Sequence, residues 1–144
     1  MTTRLAIAAG VVFLLTPPLL AHHPFFAEFD WMKPVILSGT VTKLEWENPH
    51  ARLWLDVKGP DGKINNWSFE MGSLNALKKA GWSKTTLKMG DMITVDAWLA
   101  KAKSNEANMK SATLPNGREL SGASSVADLT ATVKESKPAV HSFR

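Results

Sequence analysis

Between Val35 and Trp46 the apolar residues change sides partway along one extended run. Val35, Leu37, Gly39 and Val41 share one parity, and Leu44 and Trp46 take the opposite one. Side chains of a strand alternate between two faces, so a parity switch inside a strand demands a bulge or a sharp bend. Gly39 lies where a tightly coiled strand needs a residue without a side chain. A strand that buries one face first and the other face later cannot belong to a flat sheet, which points to a curved, closed β architecture.

The rest of the chain supplies partners for such a strand. After a turn at Asn48-Pro49-His50, the stretch from Ala51 to Lys58 alternates, with Leu53, Leu55 and Val57 inward and Arg52, Trp54 and Asp56 outward. Gly59-Pro60-Asp61-Gly62 is a hairpin signal, and a third strand follows from Asn66 to Met71, with Glu70 on its outward parity. The period then changes. Ser73 is a good N-cap, Leu74, Ala76, Leu77 and Ala80 form an apolar stripe, and Gly81 is a natural stop, which predicts a short helix over 73–80. A fourth strand is expected over Met92 to Ala100 and a fifth over Ala107 to Leu114, separated by a polar loop from Lys101 to Glu106. Arg118-Glu119-Leu120 can add one more pairing. This order, three strands, a helix and two strands with a bent first strand, predicts a mainly β fold, a small five-stranded OB-like Greek-key barrel with one short helix between strands 3 and 4. An open antiparallel sheet with one helix is the competing layout.

The first 21 residues read as a cleaved signal peptide: Arg4 makes a positive start, Leu5 to Leu15 is apolar, Pro17 and Pro18 break the run, and Leu19-Leu20-Ala21 precedes a polar boundary. The apolar stretch is too short to span about 30 Å of hydrocarbon, so no membrane span is expected after processing. The expected location is periplasmic or secreted. Residues 22–34 form an aromatic N-terminal segment whose Phe residues are expected to dock on the domain, 35–120 the barrel, and 121–144, rich in Ser, Ala, Thr and Lys, a disordered tail. The chain has no cysteine, which excludes disulfides and thiolate metal sites. Of the net charge of +4, residues 22–120 carry only +2, from 13 basic and 11 acidic side chains. On that ground no nucleic-acid partner is expected; a small molecule, a metal or an envelope protein is.

Cleavage after Ala21 creates an N-terminal histidine. Its α-amine and His22 Nδ1 can chelate one Cu(II), and a further imidazole, from His23 or His50, can complete a nitrogen set. Pro24 has no N–H, so the third residue's amide cannot be recruited. The candidate metal ligands are therefore His22, His23 and His50, for copper or another divalent metal. The plainer alternative is that the paired His are an accident of processing and that His50 hydrogen-bonds in its loop; His141, in the tail, is incidental. Six Trp without one Tyr is unusual. Trp46, Trp54 and Trp98, with Asn48, are candidate ligand-binding residues for a metal-free module that takes a small molecule, a glycan or an envelope protein. Alternatively, the outward Trp residues are simply covered by the N-terminal aromatic segment or the tail. No nucleophile, base and orienting group can be named together, so nothing here argues for an enzyme.

Taken together, His22-His23-Pro24-Phe25, Glu28-Phe29-Asp30, Gly39-Thr40-Val41, Glu45-Trp46, Asn48-Pro49-His50, Trp67, Glu70-Met71-Gly72-Ser73, Gly81-Trp82, Gly90-Asp91 and Leu114-Pro115-Asn116-Gly117-Arg118 resemble an uncharacterised family of small exported bacterial proteins, the domain of unknown function 6152. The resemblance covers nearly all of residues 22–120 and implies export and an OB-like fold. It implies no activity. Small residues before the cut and Ser after the paired His are common in that family, whereas this chain has Leu19 and Pro24.

Overall fold

The computed structural model describes residues 25–125. In chain order the elements are α1 (Phe25–Glu28), β1 (Phe29–Glu45), β2 (Arg52–Lys58), β3 (Ile64–Glu70), α2 (Leu74–Lys79), β4 (Met92–Ala100), β5 (Glu106–Thr113) and β6 (Glu119–Ser121). β1 is long enough to serve two neighbours: its first part pairs with β4, from Phe29↔Ala100 to Thr40↔Met92, and its last part with β2, from Thr40↔Asp56 to Glu45↔Arg52. β3 pairs antiparallel with β2 and, over Ser68 to Glu70, parallel with Glu106 to Asn108 of β5. That short parallel contact closes the ring β1–β2–β3–β5–β4–β1.

The parity switch has the cause its pattern implied. The β1–β2 register shifts between Val41 and Lys43, so Val41 is buried and Leu44, three residues on, packs against the same core. A Cβ at Gly39 would meet the Asp56 carbonyl oxygen at 2.5 Å, which is why the coiled strand has no side chain there. Leu53, Leu55, Phe69, Ile93, Val95 and Met109 fill the interior, joined by Met71 and by Leu77 of α2. Ser73 caps that helix, its Oγ accepting from Ala76 N at 3.3 Å.

Three features differ from expectation. Six strands form rather than five, because Glu119–Ser121 pairs with β5. β1 begins at Phe29, not Val35: Pro34 pairs with Trp98 beside an irregularity between Phe29 and Pro34, where a strand tolerates a residue without an N–H. The expected tail starts too early. Gly122 donates to Lys110 O and accepts from Gly72 N, both at 2.8 Å, and Ser124 is buried. The small residues there permit close approach, since a Cβ on Gly122 would meet Met109 O at 2.2 Å. Residues 1–24, the expected signal peptide with the first three residues of the aromatic segment, and residues 126–144, the rest of the expected tail, lie outside the described residues. Among the described residues no helix is long and apolar enough to cross a membrane.

Candidate functional site

One row of cross-strand neighbours runs around the barrel: Glu45↔Arg52, Arg52↔Glu70, Glu70↔Asn108, Asn108↔Trp98 and Trp98↔Pro34. Leu53, Phe69 and Ala107, each next in sequence to a member of the row, are fully buried in the core. The row therefore lies on the outer face. It nonetheless contains two buried residues, Trp98 at 5% and Asn108 at 4% exposure.

Trp98 is covered by the N-terminal segment. The Phe25 ring stands edge-on to it with centroids 5.4 Å apart, and Phe29 joins the same satellite cluster, separate from the main core. Lys101 ties the segment down, its N–H donating to Glu28 O and its Nζ to Phe26 O, each at 2.8 Å.

The polar end of the row is a charge network. Arg52 Nη1 donates to Glu106 Oε1 at 2.8 Å and to Ser68 Oγ at 3.3 Å, while Nη2 donates to Glu70 Oε2 at 3.1 Å. Lys103 Nζ lies 3.4 Å from Glu106 Oε2. His50 Nδ1 stands 3.5 Å from Glu70 Oε1, the atom to which Asn108 Nδ2 donates at 3.4 Å. Burial pushes the Glu70 carboxyl above the usual glutamate value; His50 and Arg52 oppose this, and the charges of Glu28 and Glu106 add to it. Burial also acts on Glu106, but hydrogen bonds and charge from Arg52 and Lys103 outweigh it and hold that carboxyl below the usual value. Asn108 Oδ1 is buried with no hydrogen-bond partner among the described residues.

Of the residues singled out from sequence, His50 is in this network, with its side chain 41% exposed. His22 and His23 lie outside the described residues. Trp46 packs against the main core. Asn48 serves the fold, its Oδ1 accepting from Leu74 N at 3.2 Å and so tying its loop to α2. Trp54 is on the outer face, with Lys43 Nζ 4.7 Å from its ring centroid. Trp98 presents no open surface, because Phe25 and Phe29 occupy the face on which a ligand was expected. Arg52, Glu70, Glu106 and Asn108 were not read as site residues. Their outward parity was legible, but only the register shows that they meet. Among the described residues no group of three His, Asp or Glu is placed to hold a metal ion.

No curated protein matches the chain. Among solved structures, the mitochondrial single-stranded DNA binding protein Rim1 of S. cerevisiae is similar at 12% identity and a TM-score of 0.43, covering 60% of this chain and 93% of that one. This neighbour corrects the expectation of no nucleic-acid partner, which rested on charge alone and no longer stands. The likeness itself, at that TM-score, carries no argument about what this chain binds. The profile of a family of unknown function, DUF6152, matches residues 11–110, more than half of the sequence, and the chain belongs to that family.

Proposed function

We propose that this protein is exported, loses residues 1–21, and acts outside the cytoplasm as a binding module of OB-like Greek-key architecture whose mature N-terminus takes up Cu(II) or another divalent metal. The ring β1–β2–β3–β5–β4, with α2 between β3 and β4, supports the architecture; α1 and β6 are additions to it. His22 contributes its α-amine and imidazole, and His50, or His23, a further nitrogen.

The observation that carries this reading is the contact of His50 Nδ1 with Glu70 in the row of neighbours on which the N-terminal segment docks. A carboxylate beside one ring nitrogen favours the proton on that side of the ring, as the partners of histidine ligands do in metal sites. Phe25 anchors the segment on Trp98 only three residues after His22.

The test is a Cu(II) titration with electron paramagnetic resonance on protein beginning at His22, beside protein with one extra N-terminal Ala. Tight binding with a nitrogen-rich signal in the first alone, weakened by His50→Ala, supports the reading; equal and weak binding in both overturns it. A second reading has Trp54, on the outer face beneath Lys43, as the platform of a metal-free module for a small molecule, glycan or envelope protein. There, Trp54→Ala abolishes binding and His50→Ala does not.

A further inference from the structure

β1 has an edge that the barrel does not use. β2 takes up that side only from Thr40 onward, and among the described residues no strand lies along it before Thr40. The backbone shows which groups face there. Val41 turns toward the β4 side, its N–H donating to Asp91 O at 2.8 Å and its C=O accepting from Gly90 N at 2.9 Å. Direction alternates along an antiparallel ladder, and from Pro34 to Thr40 the β1–β4 register is regular. Val35, Leu37 and Gly39 therefore direct their backbone groups at β4, while Pro34, Ile36 and Ser38 direct theirs to the open side. The side chains agree: Ser38 Oγ and Thr94 Oγ1 meet at 2.7 Å, the close approach of a pair with no backbone bonds between its members.

Native sheets blunt an open edge with charge, lysine above all, or with proline. Pro34 does so at one end, but no charged residue follows it until Lys43. Instead Ile36 is 70% exposed on the outer face, and Val35 and Leu37 are only partly buried at the inner one.

This edge is complementary to itself. With a second copy laid antiparallel about a two-fold axis at Ile36, the N–H and C=O of each Ile36 meet those of the other. Each Ser38 N–H then meets a Pro34 C=O, so Ile36 and Ser38 of both copies all find acceptors, and Pro34, with no N–H, has only to accept. On the outer face the two Ile36 side chains become cross-strand neighbours; on the inner face Val35 of each copy stands opposite Leu37 of the other and extends its core. Lys33 falls opposite Gly39, so no like charges meet. β2 occupies the edge from Thr40, and the irregularity before Pro34 ends the regular strand, which confines the pairing to Pro34–Ser38.

We propose that Pro34–Ser38 of β1 is a self-association edge, through which two copies of this chain pair antiparallel about Ile36 and join their barrels in one continuous sheet. The two-fold uses up both edges, so association by this route stops at two. So short a pairing falls below the ~1,200 Å² of buried surface typical of stable complexes, which makes the dimer weak and reversible. It depends neither on export nor on a metal.

The experiment is sedimentation, over a concentration series, of the chain purified from bacteria that express it in full, beside Ile36→Lys and Ser38→Pro, with circular dichroism to show that each variant is folded. Ile36 is exposed, and Ser38 turns its N–H away from β4, so both variants leave the barrel's backbone ladder intact. The expected result is a concentration-dependent dimer whose dissociation constant rises about tenfold or more in each variant, one losing the paired Ile side chains and the other the Ser38 donors. Because the chain has no cysteine, Ile36→Cys supplies a sole thiol. A short bis-maleimide should couple two copies through it far more than through Met89→Cys, which is 80% exposed but lies off the edge. A chain that stays monomeric at every concentration, a dimer that either variant leaves unchanged, or equal coupling at both thiols overturns the proposal. So does an Ile36→Cys thiol shielded from a small maleimide in the monomer, since another part of the same chain then lies on the edge.

Discussion

Replacing Phe25 by Ala separates the two hydrophobic clusters of this molecule. Phe25 is 9% exposed and contacts Phe29 and Trp98 in a cluster distinct from the main core. Burying such a ring is worth about 1.5–3 kcal/mol, and its edge contact with Trp98 about 0.5–1.5 kcal/mol more. The full sum is not expected in the global stability. Once α1 lifts off, the barrel no longer depends on it, so the loss is capped by the free energy of undocking the segment. We expect a fall of about 2–3 kcal/mol for Phe25→Ala, against about 3–5 kcal/mol for Phe69→Ala in the fully buried core. Urea denaturation gives both values, and amide exchange shows where the loss falls. The Lys101 amide, bonded to Glu28 O, should lose protection in Phe25→Ala, while the amides of Leu53 and Leu55 keep theirs to within the global change. Equal destabilisation by both substitutions, with Lys101 exchanging in step with the barrel, would refute the division into two clusters.

Three further outcomes follow from local geometry. Gly72→Ala should cost more than about 3 kcal/mol or prevent folding, because its Cβ would meet Ala123 O at 2.1 Å, backbone that cannot yield cheaply; thermal unfolding reads this. Ala123→Gly should stabilise by about 1 kcal/mol in the same assay, since Ala123 holds φ at 52°, where a side chain is strained. Glu106→Gln should destabilise the protein above pH 4.5, the ordinary glutamate value. The folded-state pKa of Glu106 is lowered, so its contribution is present above the unfolded value and lost as pH falls through the folded one. The gap between native and Glu106→Gln curves should therefore close on acidification, and a gap that widens would contradict the network.

What the sequence made legible follows from which forces act locally. The Val41/Leu44 parity switch, the Ser73 cap, the Gly81 stop and the limits of β4 are written in neighbouring residues, and each is present in the structure. The docking of Phe25 and Phe29 was legible too, because an aromatic run must be covered. Two kinds of feature were not. Lys33-Pro34 read as a boundary, although a strand irregularity accommodates it, and Gly122-Ala123-Ser124 read as disordered tail, although smallness there reflects backbone packed on backbone. The site was hidden for a third reason. Arg52, Glu70, Glu106 and Asn108 are each unremarkable outward residues, and their meeting depends on the parallel pairing of β3 with β5, a long-range register that no local pattern encodes.

That pairing also sets an order of events for a chain that emerges from its N-terminus. The β1–β2–β3 meander can assemble from what has already appeared, but the first part of β1 must wait for β4, and β3 for Glu106 to Asn108. Until those residues emerge the ring has two open edges and the outer row has no neighbours to join, so the barrel cannot snap shut on a partial chain. Closure is a late, long-range step, with the slowness that non-local pairing brings. Under the proposed export this delay is an advantage, since the part that would jam a narrow passage is the last to form.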